Sequence, residues 1–435
     1  MIGHRPHLSV NDEGHLEIGG VDAVGLAETY KTPLYVTDEE RVRTRYREVC
    51  AAFSRSGYDV RVKYACKANT SLAVLRILRQ EGAGADVLSE GELRAALHVG
   101  FRPEDIIFTG NNKSDEELLL ALESGVVINL DSLHELERLK ELCAKRRFKA
   151  RVSFRINPAV SPKTHPHLAT GLKESKFGIQ QGEALEAYRA AAEDRHLLVE
   201  GIHMHIGSQI LDPEVYEEAA TRLMETVCSL KEELGIDLGF IDVGGGFGIR
   251  YSEGDRYVSI KEFADAIFAA IDRAVEKRRL KKPAIFIEPG RYIVGDSTIL
   301  LVKVNTVKET PYRKFIGVDA GFNTLARPLL YNAYHEVVVA NRMKERPKEV
   351  VTIAGNVCES GDILACDRSL PAVSEGDILA FLDTGAYGFI MASQYNFRPR
   401  PAVVLVRGGV DMVIRDRESF EDLIEKERIP EELKS

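Results

Sequence analysis

The chain has 435 residues, 44% of them hydrophobic and 29% charged, with a formal net charge of −9. That length exceeds one ordinary domain and suits a large barrel with a smaller partner domain, while a net acidic balance makes nucleic acid and an anionic membrane unexpected as partners. Cys50, Cys66, Cys143, Cys228, Cys358 and Cys366 show no CxxC spacing and read as free thiols of a reducing compartment; with no signal-peptide pattern in the opening MIGHRPHLSV and no bilayer-length apolar run, the expected location is the cytoplasm.

In chain order, residues 6–18 read as a hairpin turning around Asn11–Gly14, expected to pair with the C-terminal part rather than with the barrel. A helix-like segment, 38–57, follows. Eight apolar runs come next: RVKYACKA (61–68), GADVLS (84–89), DIIFTG (105–110), VVINLD (126–131), KARVSFRINP (149–158), VEGIHMHIGS (199–208), FIDVGGGFG (240–248) and AIFIEPGR (284–291). Segments with helical periodicity, such as SLAVLRILRQ, EGELRAALHV and SLHELERLKELCA, lie between most of them. Strands alternating with helices imply parallel pairing, and eight such units predict a closed TIM-like (β/α)8 barrel over 35–290. After about residue 295 the pattern changes to strands without long helices: TILLVKVNTVKE, KFIGVDAG, HEVVVAN, EVVTIAG, GDILAFLD and PAVVLV. Residues 1–34 and 291–435 are therefore expected to form an antiparallel β domain.

Barrel enzymes carry their chemistry at the C-terminal ends of the strands, and the unusual residues collect there. Lys67 ends the first strand. A strand-end lysine is ordinarily solvated, but after a buried strand it can serve as an amine nucleophile toward an aldehyde. His203 and His205 face one way at the sixth strand, with Ser208 beyond. They could ligate a metal, fill the core, or let one imidazole stack on a flat ring while Ser208 donates to phosphate. Gly244, Gly245 and Gly246 at the seventh strand read either as a flexible turn or as backbone N–H groups converging on an anion. Glu288 and Arg291 at the eighth either pair with each other or act on a ligand, since a buried carboxylate needs a partner.

The motifs YACKAN, HMHIGSQ, DVGGGFG and EPGR, in this order and at these strand ends, resemble those of the fold-type III pyridoxal-phosphate decarboxylases. TGLKESKFGI (170–179), ARPLLYNAYH (326–335), GNVCESGDIL (355–364) and GAYG (385–388) look like those of the diaminopimelate decarboxylases. The resemblance covers nearly the whole chain. It implies an alanine-racemase-like barrel, pyridoxal 5'-phosphate as cofactor, no metal, and a homodimer with shared active sites that converts meso-2,6-diaminopimelate to L-lysine and CO2. By this resemblance Lys67 forms the Schiff base and Asp86 lies near the ring. His205 stacks on the ring face. Ser208, Gly244, Gly245 and Gly246 bind phosphate, and Gly290 belongs to the cofactor site. Glu288 pairs with the pyridine nitrogen. Arg291, Arg327 and Tyr331 bind substrate, and Tyr387 touches cofactor and substrate. Cys358, the proton donor, and Glu359, a substrate contact, reach the site from the second subunit.

These roles are physically coherent. Decarboxylation leaves electrons on Cα, which a conjugated ring delocalises. A guanidinium at Arg327 can grip the distal carboxylate bidentately, and a thiol can return a proton to Cα. The bland reading of Cys358 is a small buried hydrophobe, against which its neighbours Glu359 and Ser360 speak. Rival readings are a relative acting on ornithine, lysine, arginine or carboxynorspermidine, a racemase, and a non-catalytic cofactor-binding homologue. The segment 161–172 is the expected reader of substrate stereochemistry.

Overall fold

The computed structural model describes every residue except Met1, His4, Ser56, 161–174 and Ser435. The segment 161–172, expected to read stereochemistry, thus lies outside the described residues. The chain divides into two compact units. One comprises Val42–Arg250 and Gly254–Val294; the other comprises Met1–Arg41, Tyr251–Glu253 and Gly295–Ser435. The domain border expected at 34/35 therefore falls after Arg41. The reason is the fully buried strand Leu34–Asp38, which pairs antiparallel with Thr298–Glu309 and parallel with Ala402–Arg407. The border expected at 290/291 falls after Val294, because the short helix Arg291–Val294 stays with the first unit.

The first unit is a closed ring of eight parallel strands, one in each of the eight apolar runs: Val60–Ala65, Gly84–Val87, Ile106–Phe108, Val127–Leu130, Ala150–Asn157, Leu197–His203, Phe240–Asp242 and Ala284–Ile287. Ile285 opposite Val60 joins the last strand to the first. Both faces of such strands are covered, which is why they read as short apolar runs rather than as alternations. Several of the helices between them start at serines. Ser89, Ser114, Ser132 and Ser259 each accept the N–H of a glutamate three residues on, satisfying a donor that the first helical turn leaves over. Helix Leu72–Gln80 buries Val74, Leu75, Ile77 and Leu78, the apolar stripe of a 3.6-residue period.

One part of the barrel interior is apolar. Phe240 and Phe286 stack at 4.3 Å between ring centroids and cluster with Ile107 and Val127. Buried Lys63 lies over the Phe286 ring, and its Nζ donates to the Asp105 carbonyl at 2.9 Å. Burial lowers its pKa to about 8. Polar side chains gather instead at the C-terminal strand ends.

The second unit is a mixed sheet. The long strand Thr298–Glu309 pairs antiparallel with Leu34–Asp38, Lys314–Val318 and Ile378–Phe381. Two pairings are parallel: Lys314–Val318 with Glu349–Ala354, and Leu34–Asp38 with Ala402–Arg407. Sequence reading missed strands Leu34–Asp38, Ile363–Leu370 and Val410–Arg415; in Ile363–Leu370 the exposed Asp367 and Ser369 dilute the apolar signal. The N-terminal hairpin, Leu8–Val10 with Leu16–Ile18, belongs to this unit. Leu16 donates its N–H to the Ala340 carbonyl at 2.7 Å, and Leu8, Leu16 and Ile18 join the same apolar cluster as Leu34, Val36 and Leu301.

Candidate active site

Lys67 lies in a tight 3-10 turn, Cys66–Ala68, directly after the first barrel strand. Its neighbours Cys66 and Ala68 are buried, whereas the lysine side chain is 30% exposed. Nζ sits 3.4 Å from Oδ2 of Asp86, a fully buried residue of the second strand. The other Asp86 oxygen accepts the hydroxyl of Thr109. Burial and the Glu288 charge push the Asp86 carboxyl up, against the pull of Lys67 and Thr109. Gly290 supports this turn from behind. A Cβ there would lie 2.8 Å from the Ala68 Cβ, and the Ala65 N–H donates to Pro289 at 3.2 Å.

The three glycines are required by packing. Gly244 and Gly246 have φ of +71° and +93°. A Cβ on Gly244, Gly245 or Gly246 would overlap the carbonyl oxygens of Met204, Glu288 and Gly207 respectively. The turn is thus wedged between the ends of the sixth and eighth strands. Two of its N–H groups have acceptors within the protein: Gly244 donates to Asp242 Oδ1 at 2.9 Å and Gly245 to His205 Nδ1 at 3.3 Å. Burial holds the His205 imidazole well below its ordinary pKa, helped by Lys67 and Arg155, so this ring is neutral near pH 7. Ser208 Oγ accepts from the buried Arg291 guanidinium, 3.3 Å from Nε and 3.2 Å from Nη2. A hydroxyl beside a guanidinium is suited to an anion.

His203, Asp242 and Glu288 form a buried cluster whose ligand-type atoms lie within 4.8 Å of one another. His203 Nε2 is 3.2 Å from Glu288 Oε2, and its Nδ1 is 3.2 Å from the Asn129 amide. Ser153 donates to Asn129 Oδ1 at 2.7 Å. Glu288 Oε1 and Asp242 Oδ2 are buried without a hydrogen-bond partner among the described residues. Two carboxylates this close and this buried do not both ionise. Burial and Glu288 raise Asp242 well above the usual range; at Glu288 burial is outweighed by His203, Lys67 and Arg155, and its pKa falls. The charge therefore resides on Glu288. Glu288 pairs with His203, and Arg291 donates to Ser208.

In the second unit Arg327 opens the short helix Arg327–Tyr331 and is buried. Its Nη1 is 2.8 Å from His335 Nε2, and its Cζ lies 4.8 Å from the Tyr251 ring centroid. His335 Nδ1 donates to the Leu382 carbonyl at 2.9 Å, so Nε2 is the acceptor for the guanidinium. Tyr331 is half-buried at the end of this helix, and Tyr387 is half-buried with φ +56°. Cys358 and Glu359 are exposed, on a turn built around Asp362. That carboxylate accepts the N–H groups of Phe322 at 2.6 Å and Val357 at 2.8 Å, and Cys358 donates its N–H to Asn396 at 2.9 Å. Sequence reading gave no role to Thr109, Asn129, Ser153, Asp242, Tyr251, His335 or Asp362. For Thr109, Asn129 and Asp242 a signal existed, a polar residue toward the C-terminal end of an apolar run, whereas Ser153 lies in the middle of its strand.

Comparison with known proteins adds an independent line. Residues 39–295 match the family model described as pyridoxal-dependent decarboxylase, pyridoxal binding domain. The chain is 51% identical to the diaminopimelate decarboxylase of Methanothermobacter thermautotrophicus over 428 residues, covering 98% of this chain and 99% of that one. It is 45% identical to that of Archaeoglobus fulgidus over 419 residues, covering 96% and 98%. Among solved structures, diaminopimelate decarboxylase from M. jannaschii in co-complex with L-lysine superposes with a TM-score of 0.93 at 40% identity, covering 99% of each chain.

Proposed function

The chain belongs to the diaminopimelate decarboxylases, within the pyridoxal-dependent decarboxylase family, and from that premise we infer that it releases CO2 from meso-2,6-diaminopimelate to leave L-lysine, the last step of lysine biosynthesis. The observation that carries the reading is the Lys67 amine, 3.4 Å from buried Asp86, at the barrel end that also holds Glu288 and the Ser208–Arg291 pair.

The residues fit pyridoxal 5'-phosphate. Buried Glu288 Oε1 needs a donor, which a protonated ring nitrogen supplies. Ser208 and Arg291 offer a hydroxyl and a cation for the phosphate, beside the bare turn Gly244–Gly246, and Gly290 keeps the wall behind Lys67 free of a side chain. When bound, the cofactor takes up in its ring the electron pair left on Cα as CO2 departs.

Lys67 is the amine that joins the cofactor, with Asp86 as its neighbouring charge. Neutral His205 would offer a flat uncharged face to the cofactor ring. The Glu288 carboxylate favours a protonated ring nitrogen. Arg327, held by His335 and Tyr251, presents its planar fork to the distal carboxylate, with Tyr331 beside it on the same helix. The carboxylate that leaves gains nothing from a tight grip, which would stabilise the ground state. Cys358 returns the proton to Cα, Glu359 contacts substrate, Arg291 serves both phosphate and substrate, and Tyr387 touches cofactor and substrate.

The working form is a homodimer in which the Cys358 turn of one subunit completes the site of the other. An apolar surface around this turn supports the reading: Leu329, Leu330, Tyr395 and Phe397 are all exposed. Asn396, which holds the Cys358 N–H, sits between two of them. No helix among the described residues is long and apolar enough to cross a membrane, and the cytoplasm is the proposed location. The test is product analysis. Purified protein with meso-diaminopimelate should release CO2 and L-lysine in equal amounts, while ornithine, lysine and arginine should yield no comparable CO2. Equal turnover of ornithine or lysine would replace this reading with a broad diamino-acid decarboxylase.

A further inference from the structure

Glu288 is a buried carboxylate with Oε2 on His203 and Oε1 facing no N–H or hydroxyl donor among the described residues, the acid Asp242 being its neighbour there. Its ionised form needs support, because burial alone favours the neutral acid. The side chains around it supply that support in a defined order. The Ser153 hydroxyl donates to Asn129 Oδ1 at 2.7 Å, which turns the Asn129 amide N–H toward His203 Nδ1 at 3.2 Å. Nδ1 is then an acceptor. The single proton of a neutral imidazole must sit on Nε2, and Nε2 lies 3.2 Å from Glu288 Oε2. Ser153, Asn129, His203 and Asp242 are all essentially excluded from solvent, so water does not compete for these hydrogen bonds.

We propose that His203 is a positioning residue for the reaction: fixed by Asn129 as the Nε2–H tautomer, it holds Glu288 in place as a carboxylate so that the cofactor ring nitrogen keeps its proton. Asp242 completes the arrangement. Its Oδ1 accepts the Gly244 N–H, and it carries its own proton, so that the negative charge is left to Glu288. The other charged groups facing Glu288 are Lys67, Arg155 and Asp86. The cluster of His203, Asp242 and Glu288 is thereby assigned to proton placement. This inference rests on the pairing of Glu288 with the ring nitrogen given above. Nothing is transferred in the resting state: one proton is held on His203 Nε2, one on Asp242 and one on the ring nitrogen.

The experiment is solid-state 15N NMR of the holoenzyme, with 15N-histidine in the protein and 15N at the cofactor ring nitrogen. In wild-type protein His203 should give the signature of a bare Nδ1 and a protonated Nε2, identified as the signal missing from His203→Gln. The ring nitrogen should be protonated. His203→Leu removes the donor, and the ring-nitrogen signal should move toward that of a bare pyridine. Its apparent pKa should fall by about one to two units, the worth of one hydrogen bond to a charged group. His203→Gln, which keeps an amide donor, should retain the wild-type signal. Asp242→Asn should also retain it, because a neutral amide replaces a neutral acid.

A doubly protonated His203, or a proton on Nδ1, in wild-type protein overturns the proposal, and that measurement needs no variant to fold. An unmoved ring signal in His203→Leu, or a large shift in Asp242→Asn, overturns it as well. Glu288→Gln separates the two levels. If it leaves the ring nitrogen protonated, the pairing of Glu288 with the ring is wrong. If it moves the signal and His203→Leu does not, only the role of His203 fails.

Discussion

Lys67 sits where the chain stops being a strand. Cys66 and Ala68 are buried on either side, and the amine emerges half-shielded beside Asp86. Borohydride reduction of the purified holoenzyme should therefore fix the cofactor to Lys67, read by peptide mass, and a label on another lysine would reject the assignment. Lys67→Ala should lower turnover by about a thousandfold or more. Arg327 poses a different question, that of specificity. Its guanidinium is oriented by the His335 acceptor and the Tyr251 face, so its planar fork cannot be copied by an ammonium. Arg327→Lys should reduce kcat/KM for diaminopimelate about ten- to a hundred-fold, equivalent to about 1.5–3 kcal/mol, while the cofactor absorbance stays as in wild type. An intact kcat/KM would end this account of substrate choice. The strand-end positions of Lys67, Glu288 and the glycine turn were legible in sequence because each breaks the apolar pattern. His335 and Tyr251 were not, since they lie eight and many residues away from Arg327 in the chain and only folding brings them to it.

At the scale of elements, the turn carrying Cys358 depends on Asp362. One carboxylate takes two backbone N–H groups, from Phe322 and Val357, across a gap kept open by Gly321 and Gly355. A Cβ on Gly321 would lie 2.7 Å from Asp362 Oδ2. Asp362→Ala leaves those donors without acceptors, each worth about 1–3 kcal/mol when buried. The expected result is a lower kcat and a lower melting temperature with cofactor stoichiometry unchanged, and Asp362→Asn should fall between wild type and alanine. If kcat of Asp362→Ala equals that of wild type, the turn does not need its anchor. Legibility differs between elements for a related reason. The barrel strands are buried on both faces over most of their length and announce themselves as apolar runs, so all eight were readable. Strand Leu34–Asp38 was not read as a strand, since it is short and runs directly into the helix Glu39–Phe53, and its pairing with Thr298–Glu309 and Ala402–Arg407 places it in the other unit. Parallel pairing within the second unit was hidden likewise, because direction depends on connections rather than on residues.

At the scale of the molecule, the question is where the parts of one site come from. Lys67 belongs to one compact unit and Cys358 to the other, and the surface around Cys358 is apolar enough to seek a cover. A twofold dimer in which each barrel receives its partner's Cys358 turn predicts a specific complementation. Lys67→Ala and Cys358→Ala chains, each inactive as a pure dimer, are mixed under conditions of verified subunit exchange. A mixed dimer then contains one site with both lesions and one with neither. Random mixing at equal amounts makes half the dimers mixed, so about a quarter of wild-type activity should return. If each site is built from a single chain, every site carries one lesion and no activity returns. The measurement also separates sharing from mere dimer stability, because the activity should rise with the time course of exchange and stop when exchange is complete. No restored activity with exchange verified as complete would show that Cys358 serves the barrel of its own chain.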